Sequence, residues 1–216
     1  SPYQAGIMDL KGPGGSLIGF PVITLDRQPS THTVENESLL DVIKFTDAAA
    51  AAGLNIVPAG GGVSSASGYP AHVETCDYDG DGDIDIYAGS YDRATSSYKY
   101  FLLRNEMGKF TDVTKEAGLK HSGKENSALF ADFDNDGYED LFIMKEGGDI
   151  LYRNTGKGSF EDITAQSGAG SRTGGLSALA FDMDHDGDLD IFEMPGESNL
   201  YLRNNGDGTF GDQTDR

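Results

Sequence analysis

The chain has 216 residues and is acidic, with 36 Asp and Glu against 16 Lys and Arg and a net charge of -20. That charge disfavours nucleic acid and anionic membrane surfaces, which recruit basic patches, and no run of 18 apolar residues offers a membrane-spanning helix. A single cysteine, Cys76, excludes an internal disulfide and reads as a small buried hydrophobe; 10 Tyr and 11 Phe are enough to build a core.

Residues 1–44 stand apart from the rest. Gly12-Pro13-Gly14-Gly15 reads as a linker, and the uncharged segment 16–25 is strand-like. Three roles remain open for this arm. It could cover the chain's own sheets, add a strand to a neighbouring copy, or be the remnant of a larger repeat array. An arm acting between copies would link them head-to-tail, into a ring or a filament. Asn36-Glu37-Ser38 is a glycosylation sequon, meaningful only in a secreted chain. Ser1 carries no leader, consistent with a chain that starts after processing.

From residue 45 the sequence repeats. Phe110, Phe160 and Phe210 are spaced by 50 and 50, each preceded by Arg-Asn (Arg104-Asn105, Arg153-Asn154, Arg203-Asn204) and followed by Asp-x-Thr. A fixed period of this size marks a repeat architecture. We expect three units, at about 45–114, 115–164 and 165–214. Short aromatic and aliphatic runs bounded by Gly and Asn give four strands per unit. These fall at 72–77, 85–88, 98–104 and 110–114, then 127–132, 140–144, 149–154 and 159–164, then 177–182, 190–193, 199–204 and 209–214. The fold class is therefore all-β, with tandem four-stranded antiparallel blades of propeller type. The first unit carries two insertions, at about 55–70 and 89–97, expected as surface loops. Phe45-Thr46-Asp47 with Ala52-Gly53-Leu54 copies the end of a unit with no unit before it.

Between the first two strands of each unit lies an acidic loop. The first holds Asp77, Asp79, Asp81, Asp83 and Asp85; the second Asp132, Asp134, Asp136, Glu139 and Asp140; the third Asp182, Asp184, Asp186, Asp188 and Asp190. Together they hold 15 of the 36 acids. Carboxylates this close repel unless a cation sits among them. Acids at positions 1, 3, 5 and 9, with Gly82, Gly137 or Gly187 at position 6, form an oxygen cage for a hard cation, so three Ca²⁺ sites are expected. Position 7 (Asp83, Tyr138, Asp188) is free to vary if it offers its backbone carbonyl. An EF-hand would need a bidentate Glu at position 12, where Ala88 and Ile143 stand; only Glu193 qualifies, and Met194-Pro195-Gly196 follows it.

The string Leu151-Tyr152-Arg153-Asn154-x-Gly156-x-Gly158-x-Phe160, nearly repeated at 201–210, together with the Asp-x-Asp-x-Asp-Gly loops, resembles FG-GAP/VCBS-type repeats of integrin-alpha-like and cartilage-acidic-protein-like propellers. The resemblance covers about 45–216. It implies calcium-bearing blades in an extracellular, secreted or cell-surface protein, with adhesion or ligand-binding roles. Carried over by position, the ligands are Asp77, Asp79, Asp81 and Asp85, then Asp132, Asp134, Asp136 and Asp140, then Asp182, Asp184, Asp186 and Asp190. Such propellers close with more blades than this chain holds, so a homo-oligomer is expected. Expected partners are a protein or glycan ligand, or further copies of the chain joined through the arm. No enzyme is expected: His32, His72, His121 and His185 lack metal-type spacing, His185 reads as surface polar, and no Gly-x-Ser-x-Gly elbow occurs. A carbohydrate-active face on a larger propeller stands as the alternative.

Overall fold

The computed structural model describes residues 48–54, 72–92, 95–170, 175–194 and 199–214. The arm, its segment 16–25, Asn36, Phe45-Thr46-Asp47 and the 55–70 insertion lie outside these residues. Ala49–Arg216 form one compact unit. Among the described residues, no helix is long and apolar enough to cross a membrane.

The unit is built from three four-stranded antiparallel sheets, each a simple meander in chain order. The first holds β1 (His72–Cys76), β2 (Asp85–Asp92), β3 (Ser97–Glu106) and β4 (Lys109–Asp112). The second holds β5 (Glu125–Ala131), β6 (Asp140–Lys145), β7 (Ile150–Asn154) and β8 (Phe160–Asp162). The third holds β9 (Ser177–Phe181), β10 (Asp190–Met194), β11 (Leu200–Asn204) and β12 (Phe210–Asp212). These are propeller-type blades in an open array. Two short helical turns, α1 (Ala49–Ala52) and α2 (Thr164–Ser167), lie in linkers.

The repeated Phe-x-Asp-x-Thr explains where each fourth strand stops. Asp112, Asp162 and Asp212 each accept the amide of the Thr two residues on, at 3.0 Å. The hydroxyls of Thr114, Thr164 and Thr214 in turn accept the amides of Leu102, Leu151 and Tyr201 on the third strand, at 2.8, 3.0 and 3.1 Å. The fourth strands therefore end two residues earlier than the apolar pattern suggests.

A second departure concerns the 89–97 insertion. It is largely an extension of the β2–β3 hairpin, paired through Ser90↔Lys99, Tyr91↔Tyr98 and Asp92↔Ser97. Tyr91 and Tyr98 meet edge to face at 5.1 Å between centroids, and Asp92 accepts the Thr95 hydroxyl at 2.7 Å. Cross-strand aromatic pairing outweighs the loop-like composition.

The cores sit between blades. Tyr78, Tyr87, Leu102 and Val113 of the first blade meet Ala128, Leu141, Ile143, Tyr152 and Phe160 of the second. The opposite face of the second blade, with Phe133, Phe142, Met144 and Leu151, meets Ile191, Leu200, Leu202 and Phe210 of the third. Residues 141–144 are buried on both faces, so β6 reads as an unbroken apolar run rather than an alternating one. Cys76 is buried in the first of these cores, as expected.

The linker turns lock the register between blades. Gly118 and Gly168 have φ of 84° and 74°, and a Cβ there would stand 2.9 and 3.1 Å from the carbonyl oxygens of Phe160 and Phe210. Gly53 repeats the arrangement against the Phe110 oxygen, with φ of 87°. Residues 49–54 are thus a linker of the same type, docked on the first blade.

Candidate metal centres

Each acidic loop joins the first and second strands of its blade and closes on itself in one pattern. Both oxygens of the position-1 Asp accept amides four and five residues on. The distances are 3.0 and 3.0 Å at Asp77, 3.1 and 2.9 Å at Asp132, and 3.1 and 3.1 Å at Asp182. Position 6 needs glycine: φ is 90° at Gly82, 91° at Gly137 and 98° at Gly187. Position 9 opens the second strand and is buried. Asp85, Asp140 and Asp190 each take two amides, one from position 2 of the loop and one from the third strand (Asn105, Asn154, Asn204), at 2.7 to 3.1 Å.

The carboxylates converge. One oxygen from each of Asp77, Asp79 and Asp85 lies within 4.8 Å of the others; so do those of Asp132, Asp134 and Asp136, and of Asp182, Asp184 and Asp190. The structure therefore gathers nine of the predicted residues directly. Asp81, Asp140 and Asp186 stand beside these groups; the position-5 carboxylate takes the position-7 amide in all three loops, at 2.8 Å on Asp81, 2.9 Å on Asp136 and 3.1 Å on Asp186, and Asp186 also bonds Arg203. Position 7 sends its side chain elsewhere. Asp83 accepts the Met107 amide at 2.6 Å, Asp188 accepts the Asn135 side-chain amide at 2.8 Å, and the Tyr138 ring lies against Gly156. The backbone carbonyls of Asp83, Tyr138 and Asp188 are the groups that position 7 shares in all three loops. His185 at position 4 is exposed, with φ of 63°.

Electrostatics mark the first two as sites short of positive charge, while in the third the Arg203 guanidinium holds Asp184 below the ordinary carboxylate range. Burial, with neighbouring carboxylates, pushes Asp79 and Asp134 above the ordinary carboxylate range. Burial lifts Asp85 to about 6 and Asp140 to about 7, against the two amides each accepts. Asp79 Oδ1 and Asp134 Oδ1 are buried and have no hydrogen-bond partner. A buried carboxylate oxygen without a donor is costly, and a hard cation among three such groups removes that cost. The residues present therefore fit a calcium ion. Its positive charge would reverse the upward shifts by favouring the ionised form.

The sites are joined through residues that the loop pattern does not reveal. The Asn154 side chain donates to the carbonyl of Tyr78 in the first loop at 2.8 Å, and that of Asn204 to Phe133 in the second at 2.7 Å. The recurring Arg-Asn pair was the available signal, but nothing in it specifies a neighbouring loop. A second cluster carried no sequence signal at all. Glu125 is buried between the first two blades, bonded by His72 at 2.6 Å, by Tyr87 at 2.7 Å and by His121. Burial would raise its pKa, yet the hydrogen bonds from His121 and His72 outweigh that and hold it below its ordinary value.

Fold and loops together define a β-repeat protein of propeller-blade type with an acidic ion-cage loop in every blade. The FG-GAP-like repeat profile matches residues 77–143 and 132–193, more than half of the chain, and the protein belongs to that family. Comparison with curated protein sequences gives no match. Among solved structures, one reported as the structural basis of specific recognition of non-reducing terminal N-acetylglucosamine by an Agrocybe aegerita lectin is 23% identical, with a TM-score of 0.39. That alignment covers 65% of this chain and 36% of the lectin chain, so this chain spans about a third of the lectin's length.

Proposed function

We propose that the chain is a calcium-stabilised extracellular binding domain, working by adhesion or ligand recognition and not by catalysis. The observation that carries this reading is the convergence of three carboxylates in every blade, with orphaned buried oxygens on Asp79 and Asp134. An all-oxygen cage on a loop suits Ca²⁺, which accepts variable coordination, better than Mg²⁺, which demands a near-ideal octahedron. Sites at the blade surface suit the 10⁻⁴–10⁻³ M affinities of extracellular modules. The resemblance to FG-GAP/VCBS proteins supports the same location.

A protein or glycan ligand fits the surface chemistry. A groove of about 260 Å³ runs between the outer strands of the second and third blades, lined by Asp134, Arg153, Glu161, Gln166 and Thr209. These offer both donors and acceptors to a polar or hydroxyl-rich ligand. Asp134 also belongs to the second cage, so calcium would order one wall. Self-assembly is a second reading, favoured by one feature. Leu179, Phe181 and Met194 are exposed on the third blade, where their counterparts on the second, Leu129, Ala131 and Met144, pack against a neighbour.

Calcium titration followed by thermal unfolding tests the central claim. Each independent site should add about 2.7 kcal/mol at 100-fold excess over its dissociation constant. Asp136→Ala should lower the melting temperature in calcium and change it far less in EDTA. Equal losses in the two conditions would contradict a cation role.

A further inference from the structure

The arginine before each third-strand asparagine meets a different partner in each repeat. Arg104 Nη2 bonds Glu106 Oε1 at 2.7 Å, and Arg153 Nη2 bonds Glu161 Oε2 at 2.6 Å. Arg153 and Glu161 are directly opposed across β7 and β8. In the third repeat the residue opposite Arg203 is Gly211. Arg104 faces Thr111 and takes Glu106, two residues on, instead; Arg203 has neither acid, since Asn205 stands two residues on, and it turns onto the third loop, with Nε on Asp184 Oδ2 and Nη2 on Asp186 Oδ2. The position-3 oxygens of the other two loops, Asp79 Oδ1 and Asp134 Oδ1, carry no such partner.

We infer that Arg203 is a built-in counter-cation that competes with calcium for the third cage and makes it the weakest of the three sites. The inference rests on the cation reading above. A guanidinium shared by two carboxylates offsets part of their charge and occupies one oxygen of each. Asp184 already lies beside Asp182 and Asp190, and calcium must displace the guanidinium from it to have the use of its full charge. The three sites therefore fill in order, the third last, so that the third loop responds to calcium over a higher concentration range than its neighbours.

Isothermal titration of the whole chain with Ca²⁺ alone tests this. The wild type should take two ions in a tighter class and a third more weakly. Arg203→Gln should strengthen the third step about tenfold or more, equivalent to about 1.4 kcal/mol, and leave the first two where they were. Gly211→Glu supplies the missing cross-strand partner without touching the cage. Its added Cβ would meet only the Gln213 and Asn205 side chains, at 3.7 and 4.0 Å. It should strengthen the same step in the same direction. Three equivalent wild-type sites, or a third step that Arg203→Gln and Gly211→Glu leave unchanged or weaken, would overturn the inference while leaving calcium binding intact. No binding in any of the three proteins would overturn the cation reading itself.

Discussion

On the proposed calcium reading, the loops should make the protein's response to acid depend on whether cations are present. Burial raises Asp85 to about 6 and Asp140 to about 7, above the ordinary carboxylate value near 4. Without a cation, these groups bind protons more tightly folded than unfolded. Their protonation stabilises the fold fully below about pH 4, and that contribution is lost as the pH rises through 6 and 7. In EDTA the melting temperature should therefore fall between about pH 5 and about pH 8. In millimolar calcium the ionised carboxylates are the bound form, and the fall should vanish or reverse. A melting temperature in EDTA that climbs over that range would contradict the cage electrostatics. Position 6 gives a simpler expectation. Gly137 has φ of 91° and open space where a Cβ would go, so Gly137→Ala should destabilise by about 1–2 kcal/mol through backbone strain alone. Chemical denaturation with an unchanged m-value would report it.

At the scale of strands and seams, two polar devices hold blades together. Removing Asn154 or Asn204 leaves a buried carbonyl, of Tyr78 or Phe133, without its donor. Each Asn→Ala change should cost about 1–3 kcal/mol. Because each asparagine links one blade to the loop before it, each should also weaken calcium binding at that loop. Glu125 is the stiffer case. It is 2% exposed and shared between His72, Tyr87 and His121. Glu125→Leu leaves His72, Tyr87 and His121 without their shared acceptor and should cost about 1–3 kcal/mol, as leaving buried polar groups unpaired does. A loss below about 1 kcal/mol would show that the seam is held by its apolar contacts alone. The strand at 140–144 was legible in the sequence, but that both of its faces are buried was decided by the stacking of blades. The hub was not legible, since Glu125 lies 53 residues from His72 and only the stacking of blades brings them together.

For the molecule as a whole, charge is the governing quantity. Fifteen of 36 acids lie in three loops, and three divalent ions would bring the net charge from -20 to about -14. Self-repulsion in the cation-free state is screened by salt. In EDTA the melting temperature should rise as sodium chloride increases from about 20 mM to about 300 mM. In calcium the dependence should be much flatter. Equal slopes would mean that the loop charges do not limit stability.

The amino-acid sequence alone determined the period, the four strands of each blade, the acidic loops and the glycines at their sixth positions. Those features are local, and spacing along one strand or turn dictates them. Tertiary structure alone decided that Asp186 bonds a guanidinium from the third strand, a partner that the loop motif does not contain. It also decided that the 89–97 insertion pairs as a hairpin and that Asn154 and Asn204 tie one loop to the next. These outcomes depend on distances between blades, and a linear pattern carries no such distances until apolar faces have packed and brought residues far apart in the chain within hydrogen-bonding reach.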